Sequence, residues 1–239
     1  MSLPVLIPAA LAASVISGAI GMGGGVFLLA VMAAVLSPSV VVPIHGAVQL
    51  ASNFTRSARL LSRVSWRIVL LYVPTMVLGI GIGLQLYRGA GMPWFRPLIG
   101  VFVVAFLLWD RFHPRHLRLP RWTFAPAGLI GGVMTIVIGA SGPYLAAFFL
   151  RDDLDREEIV ATKAVIQTLG HLLKVPAFLS IGFDYPRELH LLIPLLACAV
   201  GGTFLGTWAL HRMGERVFRI AFRVVLGGLA LRLLLDPVL

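Results

Sequence analysis

His45, Gln49, Asn53 and Arg56 stand at positions i, i+4, i+8 and i+11, the spacing that lines side chains along one face of an α-helix. Lys163, Gln167, His171 and Lys174 repeat it at an offset of 118 residues. Amides, imidazoles and cations without a carboxylate among them suit one kind of chemistry, the binding of an anion. Each stripe crosses an otherwise apolar segment, where a polar group without a partner is costly. The two lysines are the only ones in the chain, and both lie on this stripe. An ionisable side chain within a membrane segment points to function by default, because its burial costs at least about 2.5 kcal/mol on insertion scales.

Each position also has a plainer structural use. Arg56 and Lys174 are close enough to helix ends to snorkel towards the interface. Lys163 falls near the start of its helix, and His45 follows Pro43 at what reads as a helix start, an interfacial place. Gln49 and Gln167, identical and deeper, suit either substrate or a helix-packing hydrogen bond. Asn53 and His171 suit either a site or a polar link between helices. His171 also has an intrinsic pKa in the physiological range, which fits a carried proton.

Two glycine-rich breaks accompany the stripes. The first is Gly21-Met22-Gly23-Gly24-Gly25, and Gly139-Ala140-Ser141-Gly142-Pro143 is its counterpart. Residues 2 to 44 as one straight helix would run about 64 Å, against a hydrocarbon core of about 30 Å. The segment must therefore fold back, and glycine and proline supply the place. A helix restarting there presents unpaired N–H groups that favour an oxyanion, so Gly23, Gly24, Gly25, Ser141 and Gly142 join the candidate substrate contacts. Close packing through small residues is the alternative. Gly79, Gly83, Gly202 and Gly206, which repeat at an offset of 123, have the small-xxx-small spacing of helix packing. The first break is no P-loop, since Gly-Lys-Ser/Thr does not come after it.

The elements that hold these residues are membrane helices. The 239-residue chain is 59% hydrophobic and only 13% charged, with a mean hydropathy of +0.94, outside the range of soluble domains. Residues 2 to 55, 68 to 87, 122 to 150 and 189 to 210 carry no Asp, Glu, Lys or Arg. The N-terminus has no basic region before its apolar run, which favours a first membrane segment over a cleaved signal peptide. Cys198, the single cysteine, excludes a disulfide framework and reads as a packing residue.

The net charge of +10 does not indicate nucleic acid, because the arginines cluster in the gaps between apolar runs: 56 to 67, 111 to 121 and 212 to 219. This is a positive-inside pattern. It places the repeat-equivalent loops 88 to 96 and 211 to 219 on opposite sides, as inverted halves require. The fold expected is all-α and polytopic, with each half opening on a glycine-broken helical hairpin followed by three transmembrane helices. Those helices fall near 45 to 62, 67 to 87 and 94 to 110, then 158 to 180, 188 to 211 and 217 to 235. Residues 1–118 form the first repeat and 119–239 the second, within one integral membrane domain. Asp155 and Glu158 fit a capping box, and Trp66, Trp94, Trp122 and Tyr185 fit interfacial anchors.

The chain resembles the sulfite exporter TauE/SafE family of membrane permeases, also called TSUP. The resemblance rests on Gly-Met-Gly-Gly-Gly (21 to 25), His-Gly-Ala-Val-Gln-Leu-Ala-Ser-Asn-Phe (45 to 54), Gly-Ala-Ser-Gly-Pro (139 to 143) and Ala-Thr-Lys-Ala-Val-Ile-Gln (161 to 167). It spans nearly the whole chain. It implies a multi-pass protein of the bacterial cytoplasmic membrane that moves sulfite, sulfonates or other organic anions, with the breaks and stripes as the pathway.

The expectation is a secondary transporter for a small anion, most simply sulfite or an organosulfonate. The anion would sit between the two broken elements on Gly23 to Gly25, Ser141, Gly142, Gln49 and Gln167, with Asn53 and His171 beside it. His45, Arg56, Lys163 and Lys174 would line or gate the path, and one half would rock against the other. A proton is a candidate coupling ion, homo-oligomer formation is left open, and no cofactor, metal or nucleic acid is called for. An intramembrane enzyme would need a nucleophile with a base, or paired carboxylates, at membrane depth. The sequence offers neither. A non-transporting scaffold, in which the polar repeat only packs, is the rival reading.

Overall fold

The computed structural model describes residues 2–20, 23–89, 94–112, 119–209 and 215–235. The loops 113–118 and 210–214 and residues 90–93 of the loop 88 to 96, on which the charge-based orientation rests, lie outside them, as do Gly21 and Met22 of the first break. The described residues form ten α-helices and no strand.

In the first half these are α1 (Leu3–Ile20), α2 (Gly24–Val35), α3 (Pro38–Arg59), α4 (Trp66–Gly89) and α5 (Phe95–Phe112). The second half has α6 (Phe124–Val137), α7 (Gly142–Ala147), α8 (Arg156–Leu179), α9 (Leu189–Ala209) and α10 (Glu215–Leu235). Both halves thus show the expected order of two helices about a break and then three more. Gly23 and Gly139 adopt positive φ, 92° and 101°, a conformation that a side chain resists and glycine accepts. The helices that restart after the two breaks differ in length. After the first, α2 runs 12 residues, whereas α7 runs six before the chain turns through Phe148 and Phe149.

One boundary departs from the sequence reading. α3 starts at Pro38, not near 45, and Pro43 lies inside it. Ser37 is the N-cap and Pro38 the first helical residue, where a missing N–H removes nothing. Pro43 is the sixth helical residue, so it removes one intrahelical donor, the N–H that would reach the Ser39 carbonyl. α8 opens on the expected capping box: Glu158 N–H donates to Asp155 Oδ1 at 2.8 Å, and Asp155 N–H to Glu158 Oε2 at 2.9 Å.

Packing interleaves the halves. α4 lies against α6 and α1 against α9, while α3 meets α8 and α5 meets α10. Exchanging each helix for its repeat counterpart maps this set of pairs onto itself. Backbones approach closely where the repeated glycines sit. A Cβ on Gly79 would strike the Leu129 carbonyl of α6, and one on Gly202 would fall 2.8 Å from the Leu11 carbonyl of α1. These are the packing surfaces that small-xxx-small spacing predicts.

Outward faces are apolar. Leu70 on α4, Ile193 on α9 and Val224 on α10 are 70%, 64% and 69% exposed, as residues that face lipid are. Trp66, Trp94 and Trp122 stand exposed at the starts of α4, α5 and α6. The segments Trp66–Arg88 and Pro186–Gly206 are long and apolar enough to cross a membrane. α3 and α8 have the length, 22 and 24 residues, but carry the polar stripes inward.

Candidate anion site between the two breaks

α3 and α8 run antiparallel. His45 near the start of α3 faces His171 on α8, their ring centroids 6.1 Å apart at 75°. Further along, Ser57 Oγ lies 3.4 Å from Thr168 Oγ1. Beyond the end of α3, Ser65 N–H donates to Thr162 Oγ1 at 2.9 Å, and Arg63 meets Glu157 at 3.1 Å. As numbers rise on α3 they fall on α8. The two stripes therefore cross head to tail: His45 is paired with His171, and Arg56 lies within electrostatic reach of Lys163.

Between the stripes and the breaks is a cavity. α3 contributes His45, Gln49, Asn53 and Arg56, and α8 contributes Lys163, Gln167 and His171. The first break adds Gly23, Gly25 and Val26, the second adds Ala140 to Pro143, and α1 adds Ser17. The cavity has room for water-sized atoms over about 30 Å³, enough for about two waters, each needing about 10–15 Å³ on that measure. No carboxylate lines it, and among the described residues no three His, Cys, Asp or Glu side chains gather.

Of the residues singled out from sequence, the structure gathers all around this cavity except Gly24 and Lys174. Gly24 is a packing position, since a Cβ there would collide with the Ala13 carbonyl of α1. Lys174 is fully buried behind the wall. Its ammonium donates to the Gly139 carbonyl at 2.8 Å, and its stem fills the space that a Gly46 side chain would occupy. Neither it nor Arg56 snorkels, for both are buried. His45 is not interfacial either. It is wholly buried, one turn and more inside α3, and its Nε2–H donates to the Gly25 carbonyl at 2.9 Å.

The two glutamines occupy similar places. The Gln49 amide packs on Gly25, where a Cβ would come within 3.3 Å of it, and Gln167 Nε2 would be 2.6 Å from a Cβ on Gly142. Each glycine lets an amide approach the backbone where a short helix begins. Asn53 Nδ2 donates back to the Gln49 carbonyl at 2.9 Å. Thr135 donates to Ser141 Oγ at 2.9 Å, which orients that hydroxyl at the second break.

Sequence reasoning passed over Ser17. A lone serine in an apolar helix is most often a packing residue, yet Ser17 and Thr135 are 118 apart, the same offset as the stripes. That hydroxyl pair was the available signal.

The family model described as Sulfite exporter TauE/SafE matches residues 6–233. The chain belongs to the sulfite exporter TauE/SafE family. Among curated proteins, "Probable inner membrane transporter protein TsaS" of Comamonas testosteroni is 28% identical over 178 residues, covering 71% of this chain and 73% of the relative. No solved structure matches. As a TauE/SafE member, the chain is a membrane transporter and not an enzyme.

Proposed function

We propose that this TauE/SafE protein moves a small oxyanion, sulfite or an organosulfonate, across the bacterial inner membrane by alternating access. One observation carries the reading: a cavity at the meeting of two helix breaks is lined by Gln49, Gln167, Arg56 and Lys163 without any carboxylate. A metal cation would find no anionic ligand there, while an oxyanion would find the amides of Gln49 and Gln167 and, towards one end, the cations of Arg56 and Lys163. The restart of α2 at Gly23 to Gly25 and the Ser141 hydroxyl add donors from the two breaks. With space for about two waters, this conformation suits sulfite better than a bulky sulfonate.

The antiparallel crossing of α3 and α8, and the self-mapping set of helix pairs, support an inverted relation between repeats 1–118 and 119–239. The moving bodies then differ from the sequence halves. Because α1 is packed on α9 and α4 on α6 through close glycine contacts, each rigid unit mixes helices from both repeats. Rocking would separate such mixed units about the α3–α8 crossing.

The test is uptake of radiolabelled sulfite and methanesulfonate into proteoliposomes holding the purified full chain. Accumulation above protein-free liposomes, competed by unlabelled sulfite and not by acetate, is expected. Uptake of neither anion would overturn the proposal.

A further inference from the structure

His45 and His171 each hold a buried ring nitrogen, Nδ1, with no hydrogen-bond partner, and the Gly139 carbonyl that takes Lys174 also lies beside the His45 ring. The Gly25 carbonyl can only accept, so His45 Nε2 carries its proton and neutral His45 leaves Nδ1 as a bare lone pair. That Nδ1 is buried with no hydrogen-bond partner, and so is His171 Nδ1. Unpaired buried polar atoms are uncommon, and they gather where a ligand completes the set. Both rings line the cavity and meet edge to face at 6.1 Å.

An anion with bare oxygens brings only acceptors. Against a lone pair it would be repelled, whereas against an N–H it would be bound. The surroundings decide when that N–H exists. Lys174, from α8, lies within electrostatic reach of both rings, and Arg56 and Lys163 stand at the other end of the cavity. The phenol of Tyr72 on α4 lies near Ser141 of the wall, and no carboxylate lines the space. A proton placed on the empty pair would add a positive charge within electrostatic reach of Lys174, and no carboxylate in the cavity lining offsets it. A bound oxyanion supplies the balance.

We infer that the His45–His171 pair is the site of a proton taken up together with the substrate anion, making the transporter a proton–anion symporter. The inference rests on the anion reading above. By linkage, a site that gains one proton per anion loses affinity about tenfold per pH unit while the pair is neutral in the empty protein.

The experiment is calorimetric titration of sulfite into purified full-length protein at mildly alkaline pH, in two buffers of different ionisation enthalpy. Sulfite in solution is then chiefly the dianion. The wild type is expected to take up about one proton per sulfite bound. The variant carrying both H45Q and H171Q is expected to take up none, with weaker binding that no longer changes with pH. His171→Asn, which installs the residue the first half already has at the equivalent Asn53, is expected to fold and to lower the proton number. This keeps the test open should the double variant misfold. Proton uptake that persists in His171→Asn and in the double variant would mean that the proton rides on the anion, and would overturn the inference. So would sulfite binding to the wild type without proton uptake, which leaves the anion reading standing. Absence of sulfite binding in every form, with no uptake in proteoliposomes, would remove both.

Discussion

Lys174 Nζ donates to the carbonyl of Gly139 at 2.8 Å, so a cation from the last third of α8 ties down the break between α6 and α7. The residue at that break has φ of 101°, and the ammonium accounts for a carbonyl that no helix can use. Lys174 is fully buried, with its stem laid over Gly46 of α3. The contact thus joins α3, α8 and the second break in one place.

Lys174→Met keeps the stem and removes the donor. The Gly139 carbonyl is then left buried and unsatisfied, a loss of about 1–3 kcal/mol. Thermal unfolding of the purified protein in detergent should show a lowered midpoint. An unchanged midpoint would mean that water replaces the ammonium at the break.

Gln49→Ala and Gln167→Ala together separate binding from packing. If the amides hold substrate, sulfite uptake should drop at least about tenfold, the worth of roughly 1.4 kcal/mol, while the unfolding midpoint moves little. Normal uptake with a lowered midpoint would assign both amides to packing.

Neighbouring glycines give an internal control on the interleaved packing. A Cβ on Gly79 would strike Leu129 and one on Gly202 would meet Leu11, but Cβ atoms on Gly81 and Gly201 meet nothing within 4 Å. Gly79→Ala and Gly202→Ala should each destabilise by about 1–3 kcal/mol through overpacking. Gly81→Ala and Gly201→Ala should be neutral or up to about 1 kcal/mol stabilising, from helix propensity alone. Equal effects at adjacent positions would contradict the helix pairs.

Outside the spanning segments, Asp153 receives Arg151 Nε on Oδ1 at 2.7 Å, with Arg151 Nη2 at 2.9 Å and Arg121 Nη2 at 3.0 Å on Oδ2. Hydrogen bonds from Arg151 foremost, then Arg121, hold its carboxyl well below the usual range. A depressed folded pKa contributes stability above the unfolded value of about 3.9, and that contribution fades as pH falls through the folded value. The midpoint difference between wild type and Asp153→Asn should therefore be constant at neutral pH and shrink below about pH 4. A difference that grows on acidification would contradict the pairing.

Much of this arrangement was legible in the sequence, because a helical period and a fixed offset are local signals. The stripes on α3 and α8, both breaks and the capping box at Asp155 were all readable that way. Three features were not. Pro43 reads as a helix start, although Ser37 as N-cap and Pro38 as the first helical residue begin α3 five residues earlier. The brevity of α7 has no marker, since Phe148 and Phe149 are ordinary helix residues. Most instructive, the offset equates His45 with Lys163, but the antiparallel crossing sets His45 against His171. A repeat names equivalent residues, whereas an inverted pair brings inequivalent ones together. For the same reason Lys174 fell behind the wall instead of in it.

The pairing of α1 with α9 has a consequence for synthesis. About 170 residues separate the end of the first helix from the start of its partner, which at 5–20 residues per second is roughly ten to thirty seconds of translation. Through that interval α1 is already made while its flank at Leu11, Ser14 and Val15, which Gly202 and Gly206 of α9 will cover, has no partner. The nascent protein must shelter an unfinished seam until the ninth helix arrives.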